Sequence, residues 1–594
     1  MKKIVTTILI TSIIMAGILF GTLTLLTNNK KEDTGKKREE LDLLLPEDEK
    51  EIINAAAAKP LSMGKKDSDI LLLKEKSIKE IYKVETSETV KKRLEQLKKQ
   101  EEYSAENPLM VWNPFGTNDL SLYLYLKSSE LCYLKYTIQV EDAEIPDFNR
   151  ILLNGEEGNL TRKHEYQLVG FVPGYVNYLT LRMYNANGNL IDKITYSFKV
   201  DKLEMNIPVK LAKTNGESEE LISNGLFFIM GMDASGDDSP NAIPAYDNSG
   251  VLRSVIPLKG YRSDRLEVID GQLLYSFSKQ DFAMVSAIGQ VMKVYHMNNY
   301  ELHHDFIYNG YGQLWMLTSS TSSKAETVED YVVSLDLDTG KVKKLVDLKK
   351  LFPKVKKKAN KPKGEDRLDW IHLNSLTQIG SSDIIISSRE LSSIIKINNI
   401  TSIKPTVGYI IADPVLWEDS GYEDLLLKKG SYEGDSWVNL ETDSADQETA
   451  DVFTSQFGQH SVTYQPGYNL EDEQYYLSMF NNNFGRWSTR KSFDWSIMEG
   501  IGTDKKEAEH SYYYKYMVDE SAGYYGLIKS IEVPYSNIVS NVQDSNKNYV
   551  INSGKKLIFG EYDKNGVLIS QFMTKGTTYN YRVFKYDMKN IWFY

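Results

Sequence analysis

Between residue 206 and the C-terminus, the chain keeps repeating two short patterns, and that recurrence restricts its fold more than any other feature. One pattern is an apolar stretch, an Asp/Asn–Gly turn and a second apolar strand. It appears at Ala245–Leu252, Leu335–Val342 and Glu561–Ile569. Asp and Asn bond back to the turn backbone, and Gly takes the left-handed conformation that closes it. The other pattern is a polar pair, a strand of about four residues, a turn and a stronger strand. Copies begin at His304, Asn374 and His460, with weaker ones at Arg265 and Ser540. Spacing is uneven, and insertions such as 354–364 and 421–448 account for it. Repeats of this length made only of strands predict β-propeller blades. About 390 residues, at roughly 40–50 per plain blade, predict six blades, with five or seven left open by the degenerate copies. The first strand of each blade lines the central channel, so His304, Asn374, His460 and Ser540 are expected to converge despite their distance in sequence.

Upstream, the texture changes twice. Lys2 and Lys3 precede an uncharged run from Ile4 to Thr27, whose 24 residues are long enough for a bilayer core of about 30 Å. Residues 1–28 are therefore expected to be an uncleaved signal-anchor, with secretion after cleavage as the alternative. This places the body on the extracellular face of the cytoplasmic membrane. Residues 29–106 are rich in Lys and Glu. Val90, Leu94 and Leu97 fall at helical spacing, and the segment reads as a charged helical stalk. From 107 to 205, short alternating strands such as Leu120–Lys127 and Tyr178–Tyr184 predict a small N-terminal β-sandwich. The fold class expected is all-β, with residues 206–594 as a six-bladed propeller. A net charge of −12 argues against nucleic acid as a partner. A single cysteine, Cys132, excludes an internal disulfide and any multi-cysteine metal site; it reads as inert core.

There are seven histidines, and five fall at the starts of repeat strands: His303, His304, His372, His460 and, more loosely, His296. Asn374 lies two residues after His372, on the same strand face. Arg389 ends the same hairpin and returns a guanidinium to the His372 end. Imidazoles, an amide and a guanidinium, with no carboxylate pair expected beside them, suit a tetrahedral oxyanion: Arg presents a planar fork of donors and the others single N–H groups. An imidazole facing such a site is also a potential nucleophile. His303-His304-Asp305 lacks the one-face spacing of zinc ligands, and no metal or other cofactor is expected. Trp315, Trp370 and Tyr308 are expected to fill blades rather than stack on a ligand.

At these residues the chain resembles the bacterial arylsulfate sulfotransferases. The resemblance is carried by Asp369-Trp-Ile-His-Leu-Asn-Ser375 continuing to Ser387-Ser-Arg389, by Phe457-Gly-Gln-His-Ser461, and by His303-His-Asp305. It covers roughly residues 108–594, including Asn113-Pro-Phe-Gly116. It implies a small β domain, a six-bladed propeller and a homodimer. It also implies sulfuryl transfer from a phenolic sulfate to a phenol, without the nucleotide donor PAPS, by a ping-pong route through a sulfohistidine. By motif, His460 matches the histidine that is transiently sulfated. His372, Asn374 and Arg389 match residues that hold the sulfuryl oxygens. His304 is preferred over His303 as the further site histidine. Tyr581 and Ser540 are weaker matches for substrate-facing groups. The family members considered carry a propeller disulfide and are periplasmic; this chain cannot form the disulfide. Two other classes remain: a non-catalytic cell-surface binding propeller, and a propeller sulfatase or lyase with Asp305 or Asp369 as its base.

Overall fold

A computed structural model describes residues 53–594 apart from 54, 75, 153–158, 233–240, 261, 434–435, 441–452, 468–469, 546 and 576. The expected signal-anchor, residues 1–28, lies outside the described residues. Among those described, no helix is long and apolar enough to cross a membrane.

Six sheets form the propeller, one per blade. Going round the ring from the first blade, their innermost strands are Asn580–Tyr586, Leu266–Ile269, Tyr300–Tyr308, Leu373–Ile379, His460–Pro466 and Asn541–Asp544. Five of these are the repeat starts legible in the sequence. The sixth comes from the C-terminus: Asn580–Tyr586 pairs antiparallel with Leu226–Met232 and so completes the first blade. Ala212–Asn215 in turn adds an outer strand to the last blade by pairing with Leu568–Met573. Both ends of the propeller sequence are thus interlocked. The Asp–Gly turns join the third and fourth strands of their blades. At Asp247, for example, the carboxylate accepts from Ser249 and Val251 N–H while Gly250 sits at φ 75°.

The N-terminal β domain is a two-layered sandwich spanned by one long strand, Ser121–Gln139. Its first half pairs with Leu109–Trp112 and Thr161–Val169, and its second half with Phe148–Ile151 and Val176–Tyr184. Alternate residues Leu122, Leu124 and Leu126, then Leu134, Tyr136 and Ile138, enter a single core that continues into the first propeller blades. Arg253 of the first blade, fully buried, donates to Gly170 O and Pro146 O of this domain.

The described part of 29–106 is not a stalk. The helix Val84–Leu97 does present Val90, Leu94 and Leu97 on one face, but that face is buried against Leu109, Val111, Phe115, Tyr123 and Tyr125. Ser87 accepts a bond from Val291 N–H of the propeller. Lys59–Pro60, Met63–Gly64 and Ile70–Leu72 extend the sandwich sheets. The physical reason is simple: an apolar stripe at i, i+4 and i+7 needs a partner surface, and the charged opposite face only looked like a free spacer.

Candidate active site

The inner strands are kinked where they enter the channel. His304 (φ 61°), His372 (φ 45°), Ser461 (φ 59°) and Ser540 (φ 87°) all have left-handed backbones, and the pairing register slips beside the first three. Such conformations are strained for residues other than glycine and persist where surrounding contacts fix them. Beneath the kinks, Asp305 holds the blades together. It accepts from Arg582 at 2.7 Å and Arg265 at 3.2 Å, and from the Phe306 and Leu376 backbones. Those cations hold its carboxyl below the ordinary value despite burial. Its oxygens are spent on structure, so Asp305 is not the base that a hydrolase reading would need.

His304, His372 and His303 form one cluster. Arg262 donates to His304 Nδ1 at 2.8 Å, and a guanidinium can only donate. Neutral His304 therefore carries its proton on Nε2, which faces His372 Nε2 at 3.1 Å. His372 Nδ1 then donates to Asp369 at 2.5 Å, with Glu329 Oε2 at 2.7 Å. Arg262 is itself held by Asp264, and its guanidinium lies over the Tyr581 ring at 3.7 Å. Tyr581 stacks on His304. His303 Nε2 meets Glu329, while its Nδ1 is buried without a hydrogen bond. Burial, then the neighbouring imidazoles and guanidiniums, push His303 and His304 well below the ordinary histidine pKa. His372 is lowered by burial and Arg389, against the pull of Asp369.

His460 is set differently. Its Nδ1 faces two acceptors, Asn482 Oδ1 at 2.7 Å and Gly458 O at 3.0 Å. The Asn482 amide is not free to flip, because its Nδ2 donates to Ser536 O (2.7 Å) and Val539 O (3.0 Å). The proton of neutral His460 is thus on Nδ1, and the lone pair is on Nε2. Burial and then Arg389 lower its pKa to about 3, so the free base is the form present at neutral pH.

Arg389 makes no described side-chain hydrogen bond; the groups whose charge acts on it include Asp369, Glu390, Arg486 and Tyr581. It lines a cavity of about 1170 Å³ together with Asp369 and the 485–506 segment. Asn374 donates to Gln459 O at 2.7 Å, leaving Oδ1 buried without a partner. Ser540 donates to Ser536 Oγ and accepts from Gly554 N–H, and none of its described bonds reaches the histidines. His296 is exposed and paired with Asp281, and none of its described contacts reaches the other histidines. Trp315 and Trp370 are buried blade residues. Cys132 is buried beside His164.

The sequence predicts no carboxylate pair beside the histidines and offers Asp369 only as the base of a hydrolase; in the structure Asp369 and Glu329 both contact the cluster. Sequence reasoning also missed Asn482 and Arg262. Asp369 stood in the quoted motif, and Asn482 in an Asn481–Asn483 run after an apolar strand. Glu329 and Arg262 carried no signal. His303, His304, Glu329 and His372 offer four ligand atoms within 4.8 Å of one another, a donor set that fits a transition ion by type. With Arg262 donating to Nδ1 of His304, however, ligation through Nε2 would require an imidazolate, next to two guanidiniums.

Comparison with known proteins adds a family. The pattern described as Arylsulfotransferase (ASST) matches residues 212–590, and that described as Arylsulfotransferase Ig-like domain matches residues 109–202. No curated protein sequence matches the chain. Among solved structures, the periplasmic gluconolactonase PpgL of Pseudomonas aeruginosa is 8% identical, over 76% of this chain and 99% of its own, with a TM-score of 0.33. BamB from Moraxella catarrhalis is 8% identical over 62% and 92%, with a TM-score of 0.27. Apo AztD from Citrobacter koseri is 9% identical over 76% and 98%, with a TM-score of 0.26. Likeness at that level bears on neither blade count nor function.

Proposed function

The chain belongs to the arylsulfotransferase family, and on that premise we propose that it moves a sulfuryl group from a phenolic sulfate ester to a second phenol by way of a sulfohistidine at His460. The observation that carries this reading is the fixed tautomer of His460. An imidazole whose Nδ1–H is tied to Asn482 and Gly458 presents an Nε2 lone pair, and its low pKa keeps that lone pair unprotonated.

In the first half-reaction, His460 Nε2 attacks sulfur and the sulfur–phenolate bond breaks. Phenolate is a tolerable leaving group, since phenols ionise near pH 10. Arg389 is the fork that meets the sulfuryl oxygens, with the second N–H of the Asn374 amide as a further donor. The leaving oxygen takes a proton that the His304–His372 pair has bound from solvent in addition to the one each neutral ring carries, so both rings return to the neutral state and neither is left as an imidazolate. The two facing imidazole nitrogens lie 3.1 Å apart, and Asp369 backs His372. The bound sulfate anion offsets the guanidinium field that otherwise drives that proton off. The second phenol returns the proton to the same pair and attacks sulfur, and His460 leaves as the free base. Protons balance over the two halves, and the scheme uses no cofactor.

Placement of the body outside the cytoplasmic membrane and a homodimeric state belong to the same proposal. The test is phenol release from a chromogenic aryl sulfate, with and without a second phenol. Acceptor-dependent turnover lost in His460→Asn is the expected result. Release at an equal rate without acceptor would make the protein a sulfatase.

A further inference from the structure

We infer that the donor is an aryl sulfate carrying a second anionic group, a sulfate or carboxylate, and that Arg486 reads it. This rests on the transferase reading for the word donor, but the subsite itself stands on three observations.

First, Arg389 and Arg486 line the same cavity, and Arg389 feels the Arg486 guanidinium as a like charge. Among the described residues Arg486 has no ion pair and no side-chain hydrogen bond. Adjacent guanidiniums repel, and an anion between or beside them removes the penalty. Arg389 meets the sulfuryl group, so the second cation is left for a second anion. Second, Lys491, Lys505, Lys506, Lys363 and Arg367 line the same cavity. Its lining holds seven cations against five carboxylates, the reverse of the chain's −12 balance. Third, the wall is built rather than loose. Buried Glu390 accepts from Ser488 Oγ, Thr489 N–H and Thr489 Oγ1 at 2.7–3.0 Å, which pins the segment bearing Arg486 to the Arg389 hairpin. Trp487, Phe493 and Trp495 pack against one another on the same wall, a surface for an aromatic ring. At about 1170 Å³ the cavity exceeds what a single-ring monosulfate needs.

The test uses sulfonates, whose carbon–sulfur bond cannot be transferred, so binding is read apart from chemistry. Benzenesulfonate and benzene-1,3-disulfonate are titrated against the tryptophan fluorescence of the full chain, for wild type and Arg486→Gln. We expect the disulfonate to bind at least about tenfold more tightly to wild type, a factor worth ~1.4 kcal/mol. The preference should fall to near unity in Arg486→Gln and shrink with added salt. Equal binding of the two sulfonates by wild type, or an undiminished preference in Arg486→Gln, would overturn the subsite. A preference without turnover of any phenolic sulfate would uphold the subsite and sink the transferase reading. Transfer from monoanionic and dianionic donors at equal kcat/KM would do the reverse.

Discussion

Replacing Asn482 by Ala tests how His460 is made a nucleophile. The side chain makes three buried hydrogen bonds: one accepted from His460 Nδ1 and two donated, to Ser536 O and Val539 O. Their losses are unequal. His460 Nδ1 keeps Gly458 O, and Ser536 O keeps a long bond from Ser511 at 3.4 Å. Val539 O keeps no described partner. A buried carbonyl left bare costs about 1–3 kcal/mol, and each of the two partly compensated bonds about 0.5–1.5 kcal/mol, so the variant should lose roughly 2–6 kcal/mol of stability. The chemical step loses the contact that best fixes the Nδ1–H tautomer and the ring plane. If ~1.4–2.7 kcal/mol of that orientation is felt at the barrier, the rate falls about 10- to 100-fold. The assay is the pre-steady-state burst of phenol from an aryl sulfate, on protein shown folded by near-UV dichroism. Nitrogen-15 spectra of the histidines report whether His460 still protonates on Nδ1. A folded Asn482→Ala with a wild-type burst rate would refute the reasoning.

Two further outcomes follow from the same geometry. Arg389→Lys keeps the charge but loses the planar fork, and should cut kcat/KM for the donor by about 100-fold, or roughly 2.7 kcal/mol; steady-state kinetics checks this, and a loss under threefold would remove Arg389 from the sulfuryl site. Stability should fall on acidification. His460 titrates at about 3 in the folded protein against about 6.5 unfolded, so the unfolded chain binds the extra proton between those values. The stabilisation is complete above about pH 6.5 and declines below it by up to about 1.4 kcal/mol per pH unit, with His303, His304 and His372 adding in the same direction. Denaturant unfolding at pH 7 and pH 5 should show a smaller decline in His460→Asn than in wild type.

What was legible in the sequence follows from what periodicity can carry. The five repeat starts at Arg265, His304, Asn374, His460 and Ser540 announced inner strands because each hairpin has its own alternation and turn. The sixth, Asn580–Tyr586, belongs to no complete local hairpin, since its partner Leu226–Met232 lies at the other end of the propeller. The helix face Val90–Leu94–Leu97 was readable, but not the surface it covers. His304, His372 and Arg389 could be brought together by topology alone. Ser540 shared that register, yet its hydroxyl turns to Ser536 and Gly554, because register fixes a strand position and not a side-chain partner. Groups that act through a neighbour, such as Asn482 on His460 or Arg262 on His304, sit on other strands and loops at no fixed spacing.

The central claim is a covalent bond between sulfur and His460. Mixing the protein with a phenolic sulfate in the absence of any acceptor, and mapping the adduct by peptide mass under non-acidic conditions, tests it most directly. The account predicts one sulfuryl group per chain, on His460, discharged by a second phenol and absent in His460→Asn. Acceptor-dependent transfer with no adduct on His460, or an adduct on another residue, would contradict it.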